Sequence, residues 1–271
     1  MAMNGITLTS GMRQNLFSLQ QTQKSMELTQ QRLSTGKKVN SALDDPINFF
    51  AAQQHTQRAG DLAMRKDEMS EAIQTIKAAN NGIEAVTDMI ASAKSLAQSA
   101  LATSDASERG QLATQFNEVM EQIGTVVADS GYKGVNLLND TETLTVTFDE
   151  SGDSTLDVAG QDGAGGLDGT TATSDWAALA NVTTDIGTLD DARDALRVSA
   201  KQLSNQLSTI TTRQDFTTKM INTLEDGAAS LVNADLNEEG ANMLMLQTRQ
   251  SLGTTSLSLA SQAAQSVLRL F

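Results

Sequence analysis

The chain has 271 residues, of which only 3% are aromatic, none is cysteine and one is histidine, and its mean hydropathy is -0.26. Disulfides and thiolate metal sites are therefore excluded, and His55 alone can build neither an HExxH zinc site nor a catalytic triad. No window reaches the roughly 18 consecutive apolar residues of a membrane span, so no membrane insertion is expected.

The net charge of -14 is unevenly spread. Residues 1–66 carry 8 basic and 4 acidic groups, 67–139 carry 4 and 10, 140–190 carry 0 and 11, and 191–271 carry 7 and 8. The middle segment is thus strongly acidic between near-neutral or mildly basic ends, a balance that argues against nucleic acid as a partner. The opening MAMNGITLTSGMRQNLFSLQ lacks the basic head, apolar centre and small-residue cleavage site of a secretory signal. The chain is expected to remain in the cytoplasm or to leave by another route.

In chain order, a first helix is predicted over 10–34. Leu16, Leu19, Gln23, Met26, Gln30 and Leu33 alternate spacings of three and four, apolar at the ends of the seam and polar in its middle. Gly36 breaks the pattern. SALDDP then opens a long helix reaching about Ala102, with Asp45 as N-cap and Pro46 at the first helical position. Its stripe runs Ile73, Ile76, Asn80, Ile83, Thr87, Ile90, Lys94, Ala97 and Leu101, broadened by Ala72, Ala79, Val86, Ala93 and Ala100. SDASER turns into a third helix with Leu112, Phe116, Val119, Ile123 and Val126 on one face, ending at the glycine of ADSGYKG.

TLTVTF (143–148) switches to a period of two and is followed by ESGDS and TLDV, which predicts a small β-hairpin. Gly160, Gly163, Gly165, Gly166 and Gly169 then read as a flexible, exposed stretch. Leu189, Leu196, Leu203, Ile210, Thr217, Leu224 and Leu231 recur every seven residues, the strongest helical signal of the chain. Thr188 with Asp191 resembles a capping box and places that helix's start near 189. A last helix is predicted after NEEG, with Leu252, Leu259, Ala263, Val267 and Leu270 on one face. The fold class is mainly α: a long antiparallel helical bundle with terminal coiled-coil helices and a small β-hairpin insert. Terminal helices this narrow leave apolar surface uncovered, which many copies packed side by side would bury.

Four stretches carry a resemblance to bacterial flagellins: QQRLSTGKKVNSALDDP (30–46), AIQTIKAANNGIEAVTDMI (72–90), GYKGVNLLN (131–139) and NMLMLQTRQSLGTTSLSLASQAAQSVLRLF (242–271). They are similar to the family's RLSSG-x-x-IN-x-A-x-DD signature, N-x-x-GI helix step, F-N-G-x-x-LL loop and Q-x-VL-x-L-[LF] terminus. The resemblance implies a non-enzymatic structural protein that polymerises into the extracellular flagellar filament, without cofactor, metal or catalytic residues. It also implies an inner terminal coiled-coil layer from 1–40 plus 238–271, a helical bundle from 41–139 plus 188–237, and a short exposed acidic insert with the hairpin at 140–187. The expected subunit contacts are Leu16, Leu19, Met26, Leu33, Leu252, Leu259, Ala263, Val267, Leu270 and Phe271.

The implied partners are further copies of the chain in a helical homopolymer, the flagellar type III export apparatus and its chaperone, and the hook-associated and cap proteins. Two departures stand out. PINFF follows the DD pair where the family usually has small residues and Leu, and SAKSLAQS (92–99) has Ser92, Lys94 and Ser95 where many members carry an innate-receptor motif. Weak or absent receptor recognition is expected from the latter. The alternative reading is a hook-filament junction protein, which shares the terminal patterns; a filament-borne enzyme would need a catalytic insert, and 140–187 has neither His nor Cys.

Overall fold

The computed structural model describes residues 10–268, the side chains of 264, 267 and 268 excepted. Five helices, α1 (Ser10–Thr35), α2 (Pro46–Ala102), α3 (Ala106–Asp129), α4 (Leu179–Val232) and α5 (Leu236–Leu268), accompany one antiparallel hairpin of β1 (Thr143–Thr147) and β2 (Thr155–Ala159). Two compact units form, Met1–Gln57 with Leu224–Phe271 and Arg58–Thr223. Among the described residues, no helix is long and apolar enough to cross a membrane.

The unit of 58–223 holds the larger core. Ile76, Val86 and Ile90 of α2 meet Phe116 and Ile123 of α3 and Leu189, Leu196, Leu203 and Ile210 of α4, all essentially inaccessible to water. The heptad series is therefore a packing seam, and the alanines at 72, 79, 93, 97 and 100 let α2 approach its neighbours closely. Asp105 caps α3 by accepting from the Ser107 N–H at 2.8 Å. At the other end of α3, Asn136 donates to the Val127 carbonyl at 2.8 Å and accepts from the Leu138 N–H at 3.0 Å, folding 131–139 back onto the bundle.

That return loop explains Gly82. A Cβ there would collide with Ser130 Oγ and stand 2.6 Å from Leu138 Cδ1, so the helix needs a residue without a side chain where the loop crosses. The hairpin turns Leu144, Val146, Leu156 and Val158 toward the core and Thr143, Thr145 and Asp157 outward, with Val146 opposite Leu156. Its turn is organised by Asp149, which accepts from the Gly152 and Ser154 N–H groups at 3.1 and 3.0 Å.

Three sequence expectations need correction. The glycine-rich stretch is not solvated throughout: Gly163, Ala164 and Leu167 are buried, and Leu167 joins the core. A Cβ on Gly165 would sit 2.7 Å from the Ala192 carbonyl oxygen, so glycine here marks a close backbone approach as well as a turn. Second, α4 starts at Leu179, ten residues ahead of the expected point, and the Thr188 hydroxyl bonds to the Thr184 carbonyl at 3.2 Å inside the helix. Val182, seven before Leu189 and fully buried, extends the heptad by one repeat. Third, NEEG forms the first turn of α5, because Asp235 is its cap, accepting from the Asn237 N–H at 2.8 Å.

Candidate assembly surface

In the unit of 1–57 and 224–271, α1 and α5 run antiparallel along a partly polar seam. Asn15 donates to Ser256 Oγ at 3.2 Å, Gln250 to Gln23 Oε1 at 3.2 Å, and Arg32 pairs with Glu239 at 2.8 Å. Leu19 lies over Gly253, where a Cβ would come within 2.7 Å of Leu19 Cδ2, so the helices approach closely there. Met12, Thr29 and Leu246 complete the buried strip. A seam this narrow covers one face of each helix.

The connection from α1 to α2 is held by backbone and carboxylate bonds. Gly36 takes φ +70°, a conformation that favours glycine, after which Lys38 and Val39 both donate their N–H to the Val232 carbonyl, and Ala234 donates to the Gly36 carbonyl. Asp44 accepts from the Asn40 and Ser41 N–H groups at 3.0 and 2.9 Å and from Ser41 Oγ at 3.2 Å. These bonds, the backbone N–H of Asn40 first, hold the Asp44 carboxyl below its ordinary range. Asp45 caps α2 through the Asn48 N–H at 3.1 Å, with Pro46 at the first helical position. Both carboxylates are thus structural, as the spacing of DDP implies.

Apolar side chains without cover surround this frame. Among the expected contact residues, Leu16, Leu252 and Leu259 are exposed, the last two by 65% and 61%, and Ala263 is exposed as well. Leu19, Met26 and Leu33 are half-buried and belong to the α1 and α5 unit itself. Leu270 and Phe271, and the Val267 side chain, lie outside the described residues. Sequence reasoning missed Phe17, Leu28, Leu244 and Met245 on the terminal helices, and Leu43, Ile47, Phe50 and Leu236 at the connections, all exposed. A spacing of four from Leu43 to Ile47 and three to Phe50 could have found the second set.

At this end of the unit lies a cleft of about 560 Å³ lined by Asp44, Asp45, Asp235, Glu238 and Glu239 against Arg32 and Lys38. Its walls carry an excess of negative charge, and Leu28 lines its edge. Arg32 Nε is buried there without a hydrogen-bond partner.

The model of the bacterial flagellin N-terminal helical region matches residues 7–143. The chain belongs to the bacterial flagellin family. Flagellin FljM of Caulobacter vibrioides is 32% identical over 276 residues, covering 100% of both chains. A flagellin of Brucella melitensis is 27% identical over 94% of this chain and 95% of its own. A crystal structure of Bacillus cereus flagellin aligns at 14% identity and a TM-score of 0.47 over 55% of this chain and 88% of that one. The matched region carries the α1–α2 connection, the Gly82 crossing and the 131–139 loop described above, so these family words correspond to specific hydrogen bonds and close approaches.

Proposed function

We propose that the chain is a structural subunit of the bacterial flagellar filament and that it assembles through the uncovered faces of α1 and α5. The observation that carries this reading is the run of exposed Leu16, Phe17, Leu244, Leu252 and Leu259 on helices whose mutual seam is narrow and partly polar. Burying each large side chain is worth about 1.5–3 kcal/mol, so several at once provide a strong drive to association.

Assembly and helix stabilisation are coupled in this mechanism. Two helices with a thin shared seam gain most of their apolar burial when further copies pack on them. No step of chemistry is involved. The subunit leaves the cell through the flagellar type III export apparatus, accompanied by an export chaperone, and meets hook-associated and cap proteins at the ends of the polymer. Within it, 1–40 and 238–271 form the inner layer and 41–139 with 188–237 the bundle around it. Ala263, Val267, Leu270 and Phe271 are proposed as further subunit contacts.

The test is electron microscopy of the purified chain under polymerising conditions beside a version ending at Gln262. Long filaments from the full chain and none from the shortened one are expected. Full assembly without 263–271 would remove those residues from the interface, and the absence of filaments from either protein would overturn the filament reading.

A further inference from the structure

The outward face of α1 and the cleft at the α1–α2 connection have opposite character. Residues 10–26 contain no acidic group, and within them Arg13 and Lys24 are exposed and, among the described residues, within ion-pair distance of no carboxylate. Arg13, Phe17 and Lys24 are separated by four and seven residues, so they share one face of the helix, with Phe17 69% exposed between the two cations. The cleft presents five carboxylates against two cations, and apolar Leu28, Leu43, Ile47 and Leu236 are exposed on the segments that form it.

We propose that the Arg13–Phe17–Lys24 stripe of one copy docks in this acidic cleft of a second copy. The proposal rests on the filament reading and names the pairing of surfaces within it. Charge complementarity selects the partner: the stripe brings two cations to a site with three excess carboxylates, and Phe17 supplies an apolar anchor for the leucine rim. The stripe cannot reach its own cleft. Arg13 and the cleft-lining Arg32 lie on one continuous helix, nineteen residues apart, roughly 28 Å along its axis. The contact is therefore between different patches of two copies, and such a heterologous contact builds a ring or an open helical polymer, according to the rotation it imposes, instead of a symmetric dimer.

Leu43 is the most exposed of the large apolar residues among those described, at 96%, yet the two carboxylates that follow it bond the loop tightly, Asp44 back to the Asn40 and Ser41 N–H groups and Asp45 forward to the Asn48 N–H. A preorganised apolar projection loses little conformational freedom on docking. Glu238 is the cleft carboxylate best suited to a test, being exposed and contributing only its backbone N–H to the Asp235 cap.

The experiment is charge reversal with rescue, read as the critical concentration for polymerisation by sedimentation. Arg13→Glu with Lys24→Glu is expected to raise it by at least about tenfold, and Glu238→Lys to raise it in the same direction. Combining all three is expected to return it most of the way to the starting value. Circular dichroism of the unpolymerised proteins controls for helix loss.

A cysteine-free chain also permits a clean cross-link: Phe17→Cys with Leu236→Cys is expected to give a ladder of oxidised multimers from filaments and none from dilute monomer. Reversals without effect, reversals that add instead of rescuing, or a cross-link formed within single chains would each overturn the pairing while leaving filament formation by the unaltered chain intact. Failure of the unaltered chain to polymerise would instead overturn the reading on which the pairing rests.

Discussion

Trp176 donates its indole N–H to Asp185 at 2.6 Å, and neither residue is accessible to solvent beyond 3%. The same carboxylate accepts from the Thr173 N–H at 2.9 Å and the Thr173 hydroxyl at 2.6 Å, while the Trp176 ring packs 4.9 Å from Phe116. Arg109 closes the arrangement by donating to the carbonyls of Trp176 and Ala177 at 3.1 and 3.0 Å. Residues 174–176 adopt positive φ, a conformation costly for side-chain-bearing residues, so this anchor must outweigh the local strain. Asp185→Ala leaves buried donors unsatisfied and is expected to destabilise this unit by about 3 kcal/mol. Trp176, the only tryptophan, reports it directly: its emission should shift to the red at lower denaturant than in the unaltered protein. Unchanged emission and midpoint would show that the anchor contributes little.

Glycine substitutions should separate by environment. Gly60, within α2, has nothing within 4 Å of an added Cβ, so Gly60→Ala is expected to stabilise by about 0.5–1 kcal/mol through helix propensity alone. Gly82→Ala meets Ser130 and Leu138 and is expected to destabilise by about 1–3 kcal/mol through overpacking. Thermal or urea denaturation of the two variants decides it, and equal effects of the same sign would contradict the close crossing of the 131–139 loop.

The helices were largely legible because long stripes and caps repeat one message. Pro46 after Asp45, the seven-residue series from Leu189 and the alternation of TLTVTF each correspond to an observed element. What escaped was everything decided by tertiary contact. Glycine has the same letter whether it loosens a loop, as expected at 160–169, or admits a neighbouring backbone, as at Gly165 against Ala192. The true start of α4 depends on the buried Trp176 and Asp185, nine residues apart, while Thr188 and Asp191 imitate a cap in mid-helix. For the assembly surface, Leu16, Leu252 and Leu259 were recognisable as apolar, but a seam pattern alone does not divide faces used within the chain, such as Leu19 and Met26, from those left over.

Asp44 sets an acid limit on the α1–α2 connection. Its folded pKa is lowered, chiefly by the Asn40 and Ser41 backbone N–H donors, so its contribution is fully present above the ordinary carboxylate value of about 3.9. That contribution is lost as pH falls through the lower folded value. The protection of the Asn40 and Ser41 amides, their exchange taken relative to the intrinsic rate at each pH, should therefore fall as pH is lowered from about 4 toward 2. In Asp44→Asn this pH-dependent loss of protection should vanish, with protection already lower at neutral pH. Identical profiles for the two proteins would mean that the carboxylate does not organise this loop.

The uncovered face of α5 can be tested without disturbing the seam. Leu252 and Leu259 are seven residues apart and mostly exposed, so replacing them by glutamate removes apolar surface that no other part of the described chain covers. For the unpolymerised protein, such surface substitutions should change stability by no more than about 0.5 kcal/mol. In a filament each charge would be placed in a desolvated contact, at a cost of several kcal/mol. Leu252→Glu with Leu259→Glu is therefore expected to keep monomer helicity and abolish polymerisation at concentrations where the unaltered chain assembles. Leu246→Glu, placed inside the α1 and α5 seam, should reduce monomer helicity first. If the double variant polymerised normally, the exposed α5 face would be solvent-facing in the filament and the subunit contacts would have to be sought on α1 and the α1–α2 connection.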